Sequence, residues 1–446
     1  MKLVVIGAVA AGLSAASKAK REKPELEIEV YTSEEHISYG ACGLPYYIEE
    51  KIGSSEKLIA RTKEEFKKQG IKVVTKSLVE QINPEEKTIL VKDLDNDENK
   101  TVNFDSLLIA TGASPIMPPL DGINLDNIFT VKNIPDADKI KKQIPNTKKV
   151  VIVGGGYIGL EMVEAFYAHG LDITVIEMAP QLMGNIDSDM AGVIAEHLKE
   201  KGVNVCSGEK VESFQGEKAV ESVKTDKGTY HADMVIMAIG VSPNSQLAKN
   251  AGIKLGVKNS IKTNRKMETS VKDIYAAGDC TAAYHLLYED DAYIPLGTTA
   301  NKQGRLAGEN IAGGNSHFQG IIGTGIMKVL DLEVGRTGLN TREAKQLEKD
   351  FYETVITIPN IAGYYPGHGK GKMKLIVEKG SGKVLGCQLV GPKGIAKRID
   401  TVAACIHNEN TIWDMAKLDL AYAPPFSPVW DPVLMAANVA INKFKK

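Results

Sequence analysis

Cys42 lies between two small residues in SYGACGLPYY (residues 38–47), and glycine and proline follow it closely. The thiolate, not the thiol, is the sulfur nucleophile that attacks a disulfide. Proline is favoured at the first position of a helix. Pro45 therefore opens a helix over YYIEEKI and sets Cys42 near its positive end, where the thiol pKa is expected to fall. The chain has five cysteines among 446 residues, with no CxxC pair and no clustered Cys/His spacing for a metal. Cys206, Cys280, Cys387 and Cys405 read as small structural residues. Cys42 is thus a candidate redox sulfur whose partner sulfur comes from outside the chain.

A sulfur that cycles needs an electron source, and two glycine-rich loops supply candidates. KLVVIGAVAAGLSAA (2–16) is an apolar strand, a small-residue turn and a helical pattern. Gly7, Ala10, Ala11 and Gly12 fall where a dinucleotide fold needs a tight turn and close backbone approach to pyrophosphate, although Val9 occupies the usual second glycine. VIVGGGYIGLE repeats the pattern with Gly154, Gly156 and Gly159 in G-x-G-x-x-G spacing. The next strand ends in Glu177, about twenty residues on, where a carboxylate accepts from a ribose 2′-OH and repels a 2′-phosphate. That predicts NADH over NADPH. The strand after the first loop ends at Tyr31–Thr32, so Thr32 or Glu34 takes the ribose of the other nucleotide. Two loops in one chain imply a hydride donor and a bound flavin. Thr111 and Gly112 in FDSLLIATGASP, and Asp279 in SVKDIYAAGDC, fit strand ends at a flavin site. Thr298 and Thr299 open a helix whose N-terminal dipole would stabilise negative charge on a reduced flavin.

These loops need rigid elements behind them. The length exceeds one core, so two or three domains are expected. The pattern reads as α/β, with two Rossmann-like dinucleotide-binding domains and a third α+β domain. The FAD-binding domain uses residues 1–113 and returns at 245–320. The NADH-binding domain, 114–244, is inserted between the crossovers ASPIMPPLDG and GVSPNS. From 325 to 446, strands (FYETVITI, MKLIVEK, VLGCQLVG) mix with helices (GIAKRIDTVAACIHN, PVLMAANVAINKF). With 43% hydrophobic and 25% charged residues and a net charge of −2, nothing points to nucleic acid or an acidic membrane surface. No apolar run reaches the ~18 residues of a membrane span, the N-terminus enters a strand at once, and cysteine usage gives a cytoplasmic protein as the default.

In their order, GAVAAG, ATGASP, VIVGGGYIGLE and YAAGDC make the chain resemble the pyridine-nucleotide disulfide oxidoreductase family over essentially its whole length. The resemblance implies FAD, with Asp279 at its ribityl or phosphate part, and Tyr157 covering the flavin until nicotinamide displaces it. Most members carry two cysteines separated by four residues; here the positions five either side of Cys42 are Ile37 and Tyr47. The chain therefore looks like the single-cysteine branch, which contains coenzyme A-disulfide reductases, NADH:persulfide reductases, NADH oxidases and NADH peroxidases. Oxidase and peroxidase members place a histidine where this chain has Ala10. GYYPGH (363–368) and LAYAPPFSPVWDP (420–432) look like coenzyme A-disulfide reductase signatures, whose tyrosines, here Tyr364 and Tyr422, reach the partner's active site. A homodimer with a C-terminal dimerisation domain follows from that resemblance. No rhodanese-like segment follows, which predicts a plain two-nucleotide reductase. Electrons would pass from NADH through FAD to Cys42 and on to coenzyme A disulfide or a related persulfide, with the tyrosines as proton donors. Coenzyme A carries several phosphates, so Lys18, Lys20, Arg21, Lys67 and Lys68 are candidate contacts, with Ser38 on the pantetheine arm. The alternatives are an NADH oxidase using a Cys42 sulfenic acid and a non-catalytic flavin electron-transfer or binding protein.

Overall fold

The computed structural model describes residues 1–445; Lys446, the last residue of the expected third domain, lies outside the described residues. Strand Lys2–Ile6 is almost wholly buried, as a strand covered on both faces must be. It centres a five-stranded parallel sheet ordered 274–276, 106–109, 2–6, 27–31 and 71–74. The strand from residues 274–276 closes this sheet after a long excursion. Inside the excursion lies a second parallel sheet, ordered 204–207, 172–177, 149–153, 234–237 and 128–129. The two crossovers between the sheets pair with each other: Ala113–Pro115 runs antiparallel to Val241–Pro243. Two three-stranded antiparallel meanders, at residues 77–103 and 211–231, were not evident in the sequence pattern.

Helix Ala10–Glu22 packs on helix Gly297–Ile311 at backbone contact distance. A Cβ on Gly304 would lie 2.3 Å from the Ala11 carbonyl oxygen, and one on Gly308 would lie 2.2 Å from that of Ala15. Two residues without side chains thus set the first glycine loop against the N-terminus of the later helix.

The third unit is an antiparallel sheet ordered 325–329, 332–338, 384–391, 370–378 and 351–359. Every residue of Val384–Gly391 is buried. Helices Ile399–His407 and Pro432–Phe444 supply apolar side chains to the core on this sheet. A charged seam joins it to the second sheet's unit: Lys374, buried, reaches Asp187 at 2.9 Å and Glu353 at 2.6 Å, while Asp187 also accepts from Thr341 and Gln388. Among the described residues no helix is long and apolar enough to cross a membrane.

Candidate active site

One cleft of about 2320 Å³ runs through the molecule, and both glycine loops open onto it. Gly7 and Gly154 turn the two loops at φ values of +108° and +107°, left-handed geometry that favours glycine. Gly12 and Gly159 serve packing: a Cβ on either would lie 1.9 or 2.0 Å from the carbonyl oxygen of Gly7 or Gly154. The middle position differs. A Cβ at Gly156 meets no protein atom within 4 Å, so nothing in the protein itself demands glycine there, and Val9 fills the equivalent place in the first loop. Helices Ala10–Glu22, Tyr157–Ala168 and Gly297–Ile311 all begin at this cleft, and none has a side-chain cap on its first N–H groups.

Cys42 is exposed and is the one cysteine among the cleft-lining residues. Its environment reverses the sequence expectation of a depressed thiol. Although Cys42 opens to solvent, the cleft walls around it desolvate its thiol and push it up, and the carboxylates of Glu161 and Asp279 add to the rise. The local fold explains why. Cys42 sits within the 3-10 turn Ala41–Gly43, and the helix after it, Leu44–Ile48, has only five residues and a weak dipole. Cys280 and Cys387 are fully buried, Cys405 is buried, and Cys206 lies beside the Tyr230 hydroxyl at 3.3 Å.

Thr32, Glu34, Thr111, Gly112, Asp279 and Thr298 line the cleft with Ala10 and Ala11. Glu34 accepts a hydrogen bond from Tyr39 at 2.9 Å. The Asp279 carboxylate has no hydrogen-bond donor among the described residues, and burial pushes its pKa up against the pull of Lys132. Thr299 is buried in the helix and does not line the cleft. Glu177 also lines the cleft, its two oxygens accepting from the Gly155 N–H at 2.7 Å and the Ala179 N–H at 2.8 Å. Tyr157 lines the cleft immediately after the second loop.

The proposed coenzyme A contacts fare differently, since Lys18, Lys20, Arg21, Ser38, Lys67 and Lys68 are all absent from the cleft lining. Lys18 is paired with Glu309 at 3.1 Å and with Glu22, and Lys20 donates to the Leu26 carbonyl at 2.8 Å, so both are engaged within the chain. Ser38 takes a left-handed turn (φ +49°) that ties its backbone to Ala8 and Ala60. Arg21 stands near Arg61, whose guanidinium donates to Ser17 at 3.0 Å and stacks on Phe66. Tyr364 and Tyr422 also lie outside this cleft. Their hydroxyls are 3.2 Å apart on the surface of the third unit, with Tyr364 76% exposed.

Sequence reasoning missed Glu161, Lys132, His36 and Arg61. The first three line the cleft, and His36, six residues before Cys42, was readable from position alone. Glu161 is recognisable only in three dimensions: burial, then the charge of Glu164, pushes its carboxyl up to about 7. Glu164 itself is buried and held by Lys51 at 2.9 Å and by Lys328.

The cleft's left-handed glycine turns, three uncapped helix starts and unpartnered Asp279 carboxylate fit two dinucleotides, with Cys42 beside them. Comparison with known proteins agrees. The pyridine nucleotide-disulphide oxidoreductase family matches residues 1–304, and its dimerisation domain matches residues 325–432. The NAD(P)H coenzyme A polysulfide/persulfide reductase of Pyrococcus horikoshii is 40% identical, covering 98% of each chain. An NADH oxidase of Methanocaldococcus jannaschii is 39% identical, covering 99% of each. The solved structure of a NAD-dependent persulfide reductase from A. fulgidus superposes with a TM-score of 0.97 at 40% identity, covering all of this chain and 84% of that one. The chain belongs to the pyridine nucleotide-disulphide oxidoreductase family, whose members depend on FAD and NAD(P)H.

Proposed function

We propose that this protein reduces coenzyme A disulfide, or a coenzyme A persulfide, with NADH, using Cys42 as its single redox sulfur. The observation that carries the reading is that Cys42 is the one cysteine on a cleft shared by both nucleotide loops. FAD, when bound, supplies a two-electron relay between the nicotinamide and the sulfur. Asp279, Thr298 and the helix starts would hold it, and Tyr157 would cover the nicotinamide's approach. Glu177 orients the adenosine ribose of NADH and opposes a 2′-phosphate. The Cys42 thiolate attacks one sulfur of the substrate disulfide, a Cys42–S–S–CoA bond forms, and the first coenzyme A leaves as a thiolate that takes one proton. Reduction of the mixed disulfide by the electron pair from NADH returns the Cys42 thiolate and frees the second coenzyme A.

The proton is given by Tyr364 and Tyr422 acting across a homodimer. Support comes from their position outside the chain's own cleft, on a surface where Phe426, Val429 and Trp430 are also exposed. An apolar surface of this kind is typical of an interface. Arg21 and Arg61, close enough for the charge of one to act on the other, are the pair we assign to the coenzyme A phosphates. Five free cysteines fit a reducing compartment, the cytoplasm.

The Methanocaldococcus relative's name favours a second reading, oxygen reduction through a Cys42 sulfenic acid. Anaerobic assays with coenzyme A disulfide, coenzyme A persulfide and polysulfide, set beside oxygen uptake, separate the two. Coenzyme A-linked turnover should exceed NADH-dependent oxygen consumption, and Cys42→Ser should abolish it while leaving flavin reduction by NADH intact. Full disulfide turnover in Cys42→Ser, or oxygen as the fastest acceptor, overturns the proposal.

A further inference from the structure

Tyr157 is the first residue of the helix that follows the second glycine loop, and Glu161, one turn later on that helix, lines the same cleft as Cys42. A nicotinamide passing from that loop toward the sulfur's side of the cleft therefore meets the Tyr157 ring. The ring is not free. Its hydroxyl accepts a hydrogen bond from the Asn185 side-chain amide at 3.1 Å. It also rests against the backbone of strand Gly325–Val329, where a Cβ on Gly325 would lie only 2.9 Å from the hydroxyl oxygen. Asn185 is itself clamped. Its carbonyl accepts from the Arg336 guanidinium at 2.7 Å and from Asn340 at 3.1 Å, two buried side chains of the third unit. Arg336 is fixed in turn by Glu343 at 3.1 Å. On either side, Arg342 binds the Gly184 carbonyl and Thr341 binds Asp187. The loop that presents Asn185 is thus built onto the third unit.

We propose that Asn185 is a positioning residue: a latch, anchored by Arg336 and Asn340, that fixes the resting place of the Tyr157 ring and so sets the cost of admitting nicotinamide. The inference rests on the reading that Tyr157 covers the nicotinamide's approach. Every admission of the ligand breaks the Asn185–Tyr157 hydrogen bond, so removing that bond favours the displaced ring. Asn185→Ala keeps the backbone carbonyl, and hence the clamp on the loop, and deletes only the amide that holds the tyrosine.

The test is titration of NAD⁺ into the FAD-loaded protein, read from the flavin absorbance and giving a Kd without turnover. One neutral hydrogen bond corresponds to roughly a threefold to tenfold change in affinity, so Asn185→Ala should bind NAD⁺ about that much more tightly at an unchanged Tm. Tyr157→Phe should do the same, and the double variant should bind no more tightly than either single one, because both remove the same bond. Gly325→Ala displaces the hydroxyl by contact and should also tighten binding, which keeps the test open if Asn185→Ala folds poorly. Unchanged or weaker binding in Asn185→Ala and Gly325→Ala, or additive effects with Tyr157→Phe, overturns the latch. Failure of the underlying reading looks different: Tyr157→Ala would then leave the Kd of NAD⁺ unchanged.

Discussion

Glu161 lines the same cleft as Cys42, with a carboxyl raised from the ordinary 4.5 of a glutamate to about 7. Its folded pKa lies above its unfolded one, so the native state holds an extra proton between those values and stability falls as pH rises through them. A difference of about 2.5 pKa units is worth roughly 3 kcal/mol, of which about 2.5 kcal/mol is lost between about pH 5 and about pH 8. Glu161→Gln keeps the shape and removes the titration. With an unfolding entropy of about 2.1 cal/mol/K per residue over 446 residues, that free energy corresponds to ~3 °C. Thermal unfolding of the FAD-loaded wild type and variant at the two pH values is the assay. The variant's advantage in Tm should grow by ~3 °C from pH 5 to pH 8. The same charge raises the Cys42 thiol, so alkylation of Cys42 at neutral pH should be faster in Glu161→Gln. A Tm gap that is the same at both pH values, with unchanged alkylation, refutes the reasoning.

Replacing Tyr364 and Tyr422 together by Phe should slow coenzyme A-disulfide turnover about 100-fold or more, the scale of a lost general acid, while stopped-flow reduction of flavin by NADH stays at the wild-type rate. Lys374→Met leaves Asp187 without its buried cation, which costs about 3–5 kcal/mol; differential scanning calorimetry should show a Tm lower by several degrees. Gly308→Ala forces the helix pair Ala10–Glu22 and Gly297–Ile311 apart at the Ala15 carbonyl. Overpacking of about 1–3 kcal/mol should show as FAD lost more readily on gel filtration.

What the sequence made legible was local. Both nucleotide loops are strand–turn–helix units within about fifteen residues, and the physical demands on them fall on the first and third glycines. That is why Gly7 and Gly12 marked the first loop despite Val9, whose counterpart Gly156 touches no other protein atom within 4 Å. The third unit's later strands were readable because apolar runs such as VLGCQLVG are buried on both faces. What was not legible joins residues far apart in the chain. Glu164 meets Lys51 and Lys328 from two other elements, and that arrangement contributes to the titration of Glu161. Lys18 looked available as a phosphate ligand because its partner Glu309 lies on a distant helix. The Cys42 thiol was misjudged for the same reason: the cleft walls that desolvate it, and then the charges of Glu161 and Asp279, outweigh the short helix that follows it in sequence. Asn185 sits in a loop with no motif, and only the fold brings it to Tyr157.

The central claim is that electrons leave through one sulfur whose mate is a coenzyme A thiol. Intact-mass measurement of the purified, unreduced protein, followed by peptide mapping, tests it most directly. The account predicts a mass increment of one coenzyme A, carried on Cys42 and released by NADH; an unmodified Cys42 that also fails to take up coenzyme A from added coenzyme A disulfide contradicts it.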